Sequence, residues 1–234
     1  MCARYTLTAE EKEILKSHSH QIQGEWNPNY NLAITQKGLV ITADEPDFIQ
    51  QMGFGIVPHF ADSLKLTRDT WNIKSETAME SALWRPLLKF HKTCLVIADG
   101  FYEWKELGKG DKQPYRFTVK DRKLFCFAGL WSQWEDTETH EKFRTYGILT
   151  TEANLLVGEI HSKKRMPVIL SKEEEEIWLS KSLPLDTKMS VLDTFPAELM
   201  KRTKVGKGVN AVSTLKKPNN DPDLLLPLNS DEDI

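Results

Sequence analysis

Cys2 stands directly behind Met1, and that position gives its thiol a second functional group to work with. Initiator methionine is usually removed when the next residue is small, and its removal would leave a free α-amine beside the sulfur, a 1,2-aminothiol. The amine titrates near roughly 7.7–8 and the thiol near roughly 8.5, so both are partly deprotonated at neutral pH. Together they condense with an aldehyde: the amine makes a Schiff base and the sulfur closes a five-membered thiazolidine. A cysteine at position 2 also fits an incidental residue on a frayed terminus, so its meaning depends on what the rest of the chain supplies.

Glu103 is flanked by Phe101, Tyr102 and Trp104, and strand alternation would place it on the face opposite Tyr102 and Trp104. Solvated there, it is an ordinary carboxylate; facing an apolar pocket, its pKa rises and it can move protons near pH 7. His161 precedes a basic run and reads either as a surface or capping histidine or as an acid–base group. Asn72 reads as a turn or cap residue, and Lys163, Lys164 and Arg165 as a solvated run or as cations for phosphates.

The elements that must position these groups are short. Thr8 with Glu11 three residues on reads as a capping box opening a helix to about Lys16. Leu39–Ala43 is a strand, Gly53–His59 a loop that presents side chains, and Ala78–Trp84 a helix ending before Pro86. Thr93–Ala98 is a continuous apolar strand, Asp99-Gly100 a turn or bulge, and Gly108–Asp111 a hairpin loop. Tyr115, Phe117 and Val119 alternate with polar residues as a half-buried strand does, while Leu124–Trp131 is uniformly apolar and therefore central. Tyr146–Thr150 and Arg165–Leu170 are further strands, with a short helix over Asn154–Glu159 between them. Ser171 caps an acidic helix to about Ser180, Asp186–Leu192 is helical, and Val209–Ser213 is a last strand. The expected class is α+β: one domain over residues 1–215 with a mainly antiparallel, barrel-like sheet and short flanking helices. Residues 216–234 form an acidic tail, docked through Leu224–Leu226 or disordered.

With 40% hydrophobic and 28% charged residues, the composition is that of a soluble globular protein, and no membrane-length apolar span or signal pattern is present, so a cytoplasmic location is expected. Three cysteines without close spacing argue against a disulfide framework and a zinc site, and Cys94 and Cys126 read as buried small hydrophobes. The net charge of −3 provides no global basic field, although acid is concentrated at Glu173–Glu176 and in the tail, which leaves the body slightly basic.

Four motifs in order, Met-Cys at the start, Asn-x-Lys-x-Glu-Thr at 72–77, Ala-Asp-Gly-Phe-Tyr-Glu-Trp at 98–104, and Ile-His followed by Arg-Met-Pro-Val-Ile-Leu at 160–170, resemble the SOS-response-associated peptidase family over residues 2–215. The resemblance implies a domain that binds single-stranded DNA or single-strand/duplex junctions and captures abasic sites covalently through the amino-terminal cysteine. Carried over by position, Cys2 is the nucleophile, Asn72 holds its amine or the sugar, Glu103 shuttles protons and His161 is general acid and base. The same resemblance places Arg4, Lys74, Thr150 and Arg165 at phosphates and Phe54 against a base. It implies autoproteolytic release of Met1, with no cofactor and no metal, and a monomer is expected.

The chemistry agrees with that assignment. An abasic deoxyribose is a cyclic hemiacetal in equilibrium with a little open aldehyde; opening it needs a proton donor, suited to His161, and the amine needs a base, suited to a carboxylate of raised pKa such as Glu103. The missing base leaves a gap that a pocket fills without base flipping. The thiazolidine shields the aldehyde from β-elimination, whereas elimination from the Schiff base would make the protein an abasic lyase. Four positions depart from the family pattern: Ala3 for glycine, Lys74 for arginine, Phe54 for tryptophan, and a loop from His161 to Arg165 about two residues longer. Two other readings remain, a thiol peptidase using Cys2, His161 and Glu103, and a non-catalytic reader of damaged or modified DNA.

Overall fold

The computed structural model describes residues 3–18, 21–66, 69–214 and 217–228. Five strands close on themselves: β4 (Lys37–Thr42) pairs with β5 (Phe48–Phe54) and β7 (Thr93–Ala98), β7 with β10 (Phe125–Glu135), and β10 with β11 (Lys142–Glu152), all antiparallel. The ring shuts where β11 returns to β5 in parallel, Thr145 opposite Gly53 and Tyr146 opposite Phe54. Short strands extend its margins: β2 (Gln21–Ile22) on β5, β6 (Asn72–Lys74) and β12 (Arg165–Pro167) on β11, and β13 (Ile169–Leu170) on β10. A second sheet runs β14 (Met200–Lys204), β9 (Asp111–Val119), β8 (Gly100–Gly108), β1 (Arg4–Leu7), β3 (Asn29–Ala33). The expected α+β, barrel-like, mainly antiparallel architecture is what is found.

Alternation along the barrel strands explains why their sequences read as uniformly apolar. Val40, Val96 and Phe127 point into one apolar cluster shared with Tyr5, Phe101 and Phe117 of the second sheet. Leu39, Leu95, Ile97 and Cys126 point the other way, under α1 (Glu11–His18), α2 (Trp84–Lys89) and α4 (Lys172–Leu179), which contribute Ile14, Leu88 and Trp178. Both faces are buried, so both are mainly apolar, and the buried polar residues Thr42, Gln50 and Thr93 are hydrogen-bonded. The remaining helices, α3 (Leu155–Gly158) and α5 (Leu185–Met189), are single turns, and β15 (Ser213–Thr214) pairs with β16 (Lys217–Pro218) near the end. Leu224 and Leu225 pack beside a small cluster of Tyr102, Val205 and Val209.

Four local expectations give way. Thr8 does not cap α1; its hydroxyl and amide are spent on Asp99, and the side chain of Glu13 bonds the Glu10 amide instead. The helix expected before Pro86 lies around it, because in a first turn proline's missing N–H has no partner to lose. Gly53 and Phe54 belong to β5 and complete the barrel closure rather than a presenting loop. Lys207–Asn210 is a one-turn 3₁₀ helix where a strand was expected, with the Val209 carbonyl taken by Arg4.

Tyr5 and Tyr146 join the second sheet to the barrel through a 2.5 Å hydroxyl–hydroxyl hydrogen bond, and Gly38 makes room for it, since a Cβ there would collide with both hydroxyls. Gly38→Ala is expected to lower unfolding free energy by about 1–3 kcal/mol through overpacking, measured by urea denaturation; an unchanged midpoint would show that the tyrosine pair is not a fixed constraint.

Candidate active site

One carboxylate draws β1, β8 and β9 together. Asp99, the single residue between β7 and β8, accepts the Thr6 hydroxyl at 2.5 Å, the Thr8 hydroxyl at 2.6 Å and the Arg116 guanidinium at 3.1 Å. Gly100 leaves the space through which Arg116 approaches, since a Cβ there would lie 2.7 Å from its Nε. Asp-Gly is therefore required by a packed network and not merely by a turn. Beyond this knot β8 continues through Phe101, Tyr102 and Glu103, with Tyr102 in the outer cluster and Phe101 in the barrel cluster.

Glu103 consequently falls on the barrel-facing side, 2% exposed. His161, 6% exposed, follows α3, whose first turn is capped by the Asn154 side chain. Its Nδ1 accepts the Arg165 amide at 3.1 Å, which puts the proton of the neutral ring on Nε2; that nitrogen lies 3.6 Å from Glu103 Oε2. Desolvation pushes the Glu103 carboxyl up to about 8 and, acting on the opposite charge type, lowers His161 to about 4. Near pH 7 the carboxyl therefore holds its proton and the imidazole is uncharged. Glu103 Oε1 is buried with no hydrogen-bond partner among the described residues. The pair lines an open cavity of about 500 Å³ together with Ala3, Arg4, Trp104 and Lys163.

The other sequence candidates are placed as follows. Cys2 lies outside the described residues; Ala3, its neighbour in the chain, lines the cavity. Asn72 opens β6 opposite Ile148, 8% exposed, with both side-chain polar atoms unpartnered among the described residues, so it is neither a turn nor a cap residue. It is not part of the cavity lining. Lys74 is exposed at the end of β6. Arg4 is buried, bonded to Asn31 and the Val209 carbonyl, with its guanidinium 5.7 Å from the Trp104 ring centre. Thr150 is 1% exposed and its hydroxyl donates to the Ile73 carbonyl. Arg165 spends its fork on Glu76 at 2.6 and 2.9 Å and on the Thr150 carbonyl. Thr150 and Arg165 are thus joined to each other and to β6, while Arg165 Nε is buried with no hydrogen-bond partner among the described residues. Phe54 has no exposed surface and stacks on Tyr146 at 5.2 Å, so its expected base contact gives way to a core role. The exposed ring of this segment is Phe60, 68% accessible.

Sequence reasoning missed Arg116, which read as the outward residue of an alternating strand, and Asn210, whose Oδ1 holds the Trp104 indole at 2.6 Å. No local signal marks Asn210, because its partner is over a hundred residues away.

Fold and site together define a β-barrel protein with a buried carboxyl–imidazole pair opening into a surface cavity. The chain belongs to the SOS response associated peptidase (SRAP) family, whose model matches residues 1–212. It is 35% identical over 231 residues to the abasic site processing protein YoqW of Bacillus subtilis, covering 96% of this chain and 99% of that one. It is 31% identical over 239 residues to the abasic site processing protein HMCES of Gallus gallus, covering 88% of this chain and 68% of that one. A crystal structure of a Bacteroides thetaiotaomicron protein, 28% identical, superposes with a TM-score of 0.85 over 97% of this chain and all of that one.

A carboxyl whose pKa is raised on folding makes the native state bind the extra proton between its unfolded and folded values, so its contribution to stability falls as pH rises through that window, from about 4.5 to about 8. His161 acts in the other direction: its lowered pKa costs stability as pH falls from 6.5 toward about 4. Glu103→Gln is expected to gain stability over wild type progressively from pH 5 to 8.5. Thermal melts across that range check it, and a difference independent of pH would mean that Glu103 does not change protonation on folding.

Proposed function

We propose that this protein processes abasic sites in DNA by joining them covalently to Cys2 after Met1 is released. The observation that supports this most directly is the Glu103–His161 pair, desolvated and 3.6 Å apart, in a cavity that Ala3 also lines. Relatives matched over 96% and 88% of this chain are named abasic site processing proteins, which supports the substrate class.

The Cys2 amine adds to C1′ of the open-chain aldehyde, giving a carbinolamine. The protonated Glu103 carboxyl donates to the departing hydroxyl, water leaves and an iminium remains. The carboxylate so formed is stabilised by the new cation and accepts the thiol proton as sulfur adds to the same carbon, closing the thiazolidine. The cycle returns Glu103 to its neutral form with one water released. His161, neutral with Nε2–H toward the cavity, donates a hydrogen bond to the sugar oxygen during ring opening. Asn72, buried with both polar atoms unmatched among the described residues, has donors and an acceptor to offer an amine and a hydroxyl that reach it. β-Elimination from the iminium is the competing lyase outcome, and thiazolidine closure suppresses it. Release of Met1 would use the same pair to move the proton needed by the departing amine. The DNA partner is single-stranded or junctional, and exposed Lys74, Lys112 and Lys163 supply phosphate contacts.

Incubating Met1-trimmed protein with single-stranded DNA bearing one abasic site should give a denaturation-resistant adduct, seen by gel and intact mass without borohydride. It should be lost in Cys2→Ala and in protein retaining Met1. No adduct from protein with a verified free Cys2 amine would overturn the proposal; reversible binding surviving Cys2→Ala would favour the reader, and cleavage of peptides by Met1-retaining protein the peptidase.

Lys74→Ala should weaken binding to single strands of any sequence and flatten the plot of log K against log salt by about 0.7, one phosphate contact. An unchanged slope would remove Lys74 from the interface.

A further inference from the structure

On the far side of β10 from the barrel cluster, three ligand-type side chains from distant parts of the chain converge. Cys126 lies on β10, fully buried. His18 is the last residue of α1, 8% exposed, with Nε2 3.5 Å from Cys126 Sγ. Glu175 is in α4, 6% exposed, and one ligand atom from each of the three lies within 4.8 Å of the others. A zinc ion bound to thiolate, imidazole and carboxylate at 2.0–2.3 Å holds tetrahedral donors roughly 3.3–3.8 Å apart, so the cluster needs about 1 Å of contraction. Three residues separated by more than forty positions along the chain give no spacing motif, which is why cysteine counting missed them.

From this convergence we propose that His18, Cys126 and Glu175 bind a divalent transition-metal ion of zinc type, separate from the Glu103–His161 cavity. Sulfur, nitrogen and oxygen donors together select borderline-soft ions over magnesium or calcium. Arg122 at 3.2 Å and Lys172 at 2.8 Å each bond a different oxygen of Glu175. They compete with a cation for that charge, yet each carboxylate oxygen keeps a second lone pair, and such outer partners orient ligating carboxylates. Binding converts the Cys126 thiol to thiolate with release of one proton, so affinity falls with falling pH. A thiolate and a carboxylate offset the 2+ charge of the ion, and the Arg122 and Lys172 charges on Glu175 remain to be met by their other surroundings. With three protein ligands, a water completes four-coordination. The consequence is structural, since the ion ties α1 and α4 to the barrel wall.

The test uses the full chain, reduced, stripped with chelator and titrated with cobalt(II) alone, then displaced by zinc. Expected are one equivalent bound, a thiolate-to-cobalt charge-transfer band, and a higher melting temperature with zinc. The Cys2 aminothiol is a rival chelator, so the band should survive in Cys2→Ala. Affinity should fall in Cys126→Ser and His18→Ala by more than the roughly 10- to 100-fold that loss of an outer partner costs, each variant's fold being checked by circular dichroism. No thiolate–cobalt band in the wild type, which needs no variant to interpret, would overturn the proposal. So would a band lost in Cys2→Ala and kept in Cys126→Ser.

Discussion

Exclusion of water from Glu103 is the constraint on which the site depends. A carboxyl at 2% exposure, with one oxygen unpartnered among the described residues, is costly to ionise, and that cost lifts its pKa to about 8. The same desolvation keeps His161 uncharged, so the two groups do not form the ion pair that their usual pKa values would give. Joined as carboxylate and imidazolium, the pair would carry the shared proton on the ring, and its two charges would already neutralise each other. Burial therefore stores reactivity at some expense in stability, and the surrounding fold must be firm enough to bear it.

That firmness comes from β1. It belongs to the second sheet by hydrogen bonding, yet Tyr5 reaches into the barrel cluster to meet Tyr146, edge-on to Phe54 and Phe127. One residue on, Thr6 is fixed to Asp99 and Arg116. One residue back, Arg4 is bound from the other side by Asn31 and the Val209 carbonyl. Each residue of this four-residue strand is thus buried, and Cys2 precedes its first residue by two positions. Anchoring β1 on both faces fixes the course of the chain from Arg4 onward.

Much of this was legible beforehand, for identifiable reasons. The apolar strand at 93–98 coincides with β7 because a strand buried on both faces favours apolar residues, its one polar member Thr93 bonding the Trp178 carbonyl, and the Ser171 cap holds because its capping box is local. What failed involved partners distant in sequence. Thr8 looks like a cap until Asp99 arrives from ninety residues away, and Phe54 looks available for stacking until β11 closes the barrel over it. The two readings left open for Glu103 differ only in what packs against its strand, which no window of sequence contains. Motif order identified the family, while the protonation states emerged only from burial.

The bonded state of Arg165 carries the argument furthest. Its guanidinium clasps Glu76, just past Lys74, and the Thr150 carbonyl opposite Lys74 on β11, while its backbone amide fixes Nδ1 of His161. One residue thereby connects the exposed cation at the end of β6 to the tautomer of the buried imidazole. A fork bound on both oxygens of a carboxylate is poorly disposed to exchange it for a phosphate, since the exchange would strand Glu76, whose carboxyl the Arg165 hydrogen bonds hold below its ordinary pKa. The longer loop that separates His161 from Arg165 does not dissolve this link: Lys164 takes a positive φ, and its ammonium bonds the Gly158 carbonyl. The loop doubles back so that the Arg165 amide still reaches the ring. The His161 ring is thus held through a backbone hydrogen bond, which any residue but proline at position 165 can make, while the arginine side chain there serves the β6–β11 edge.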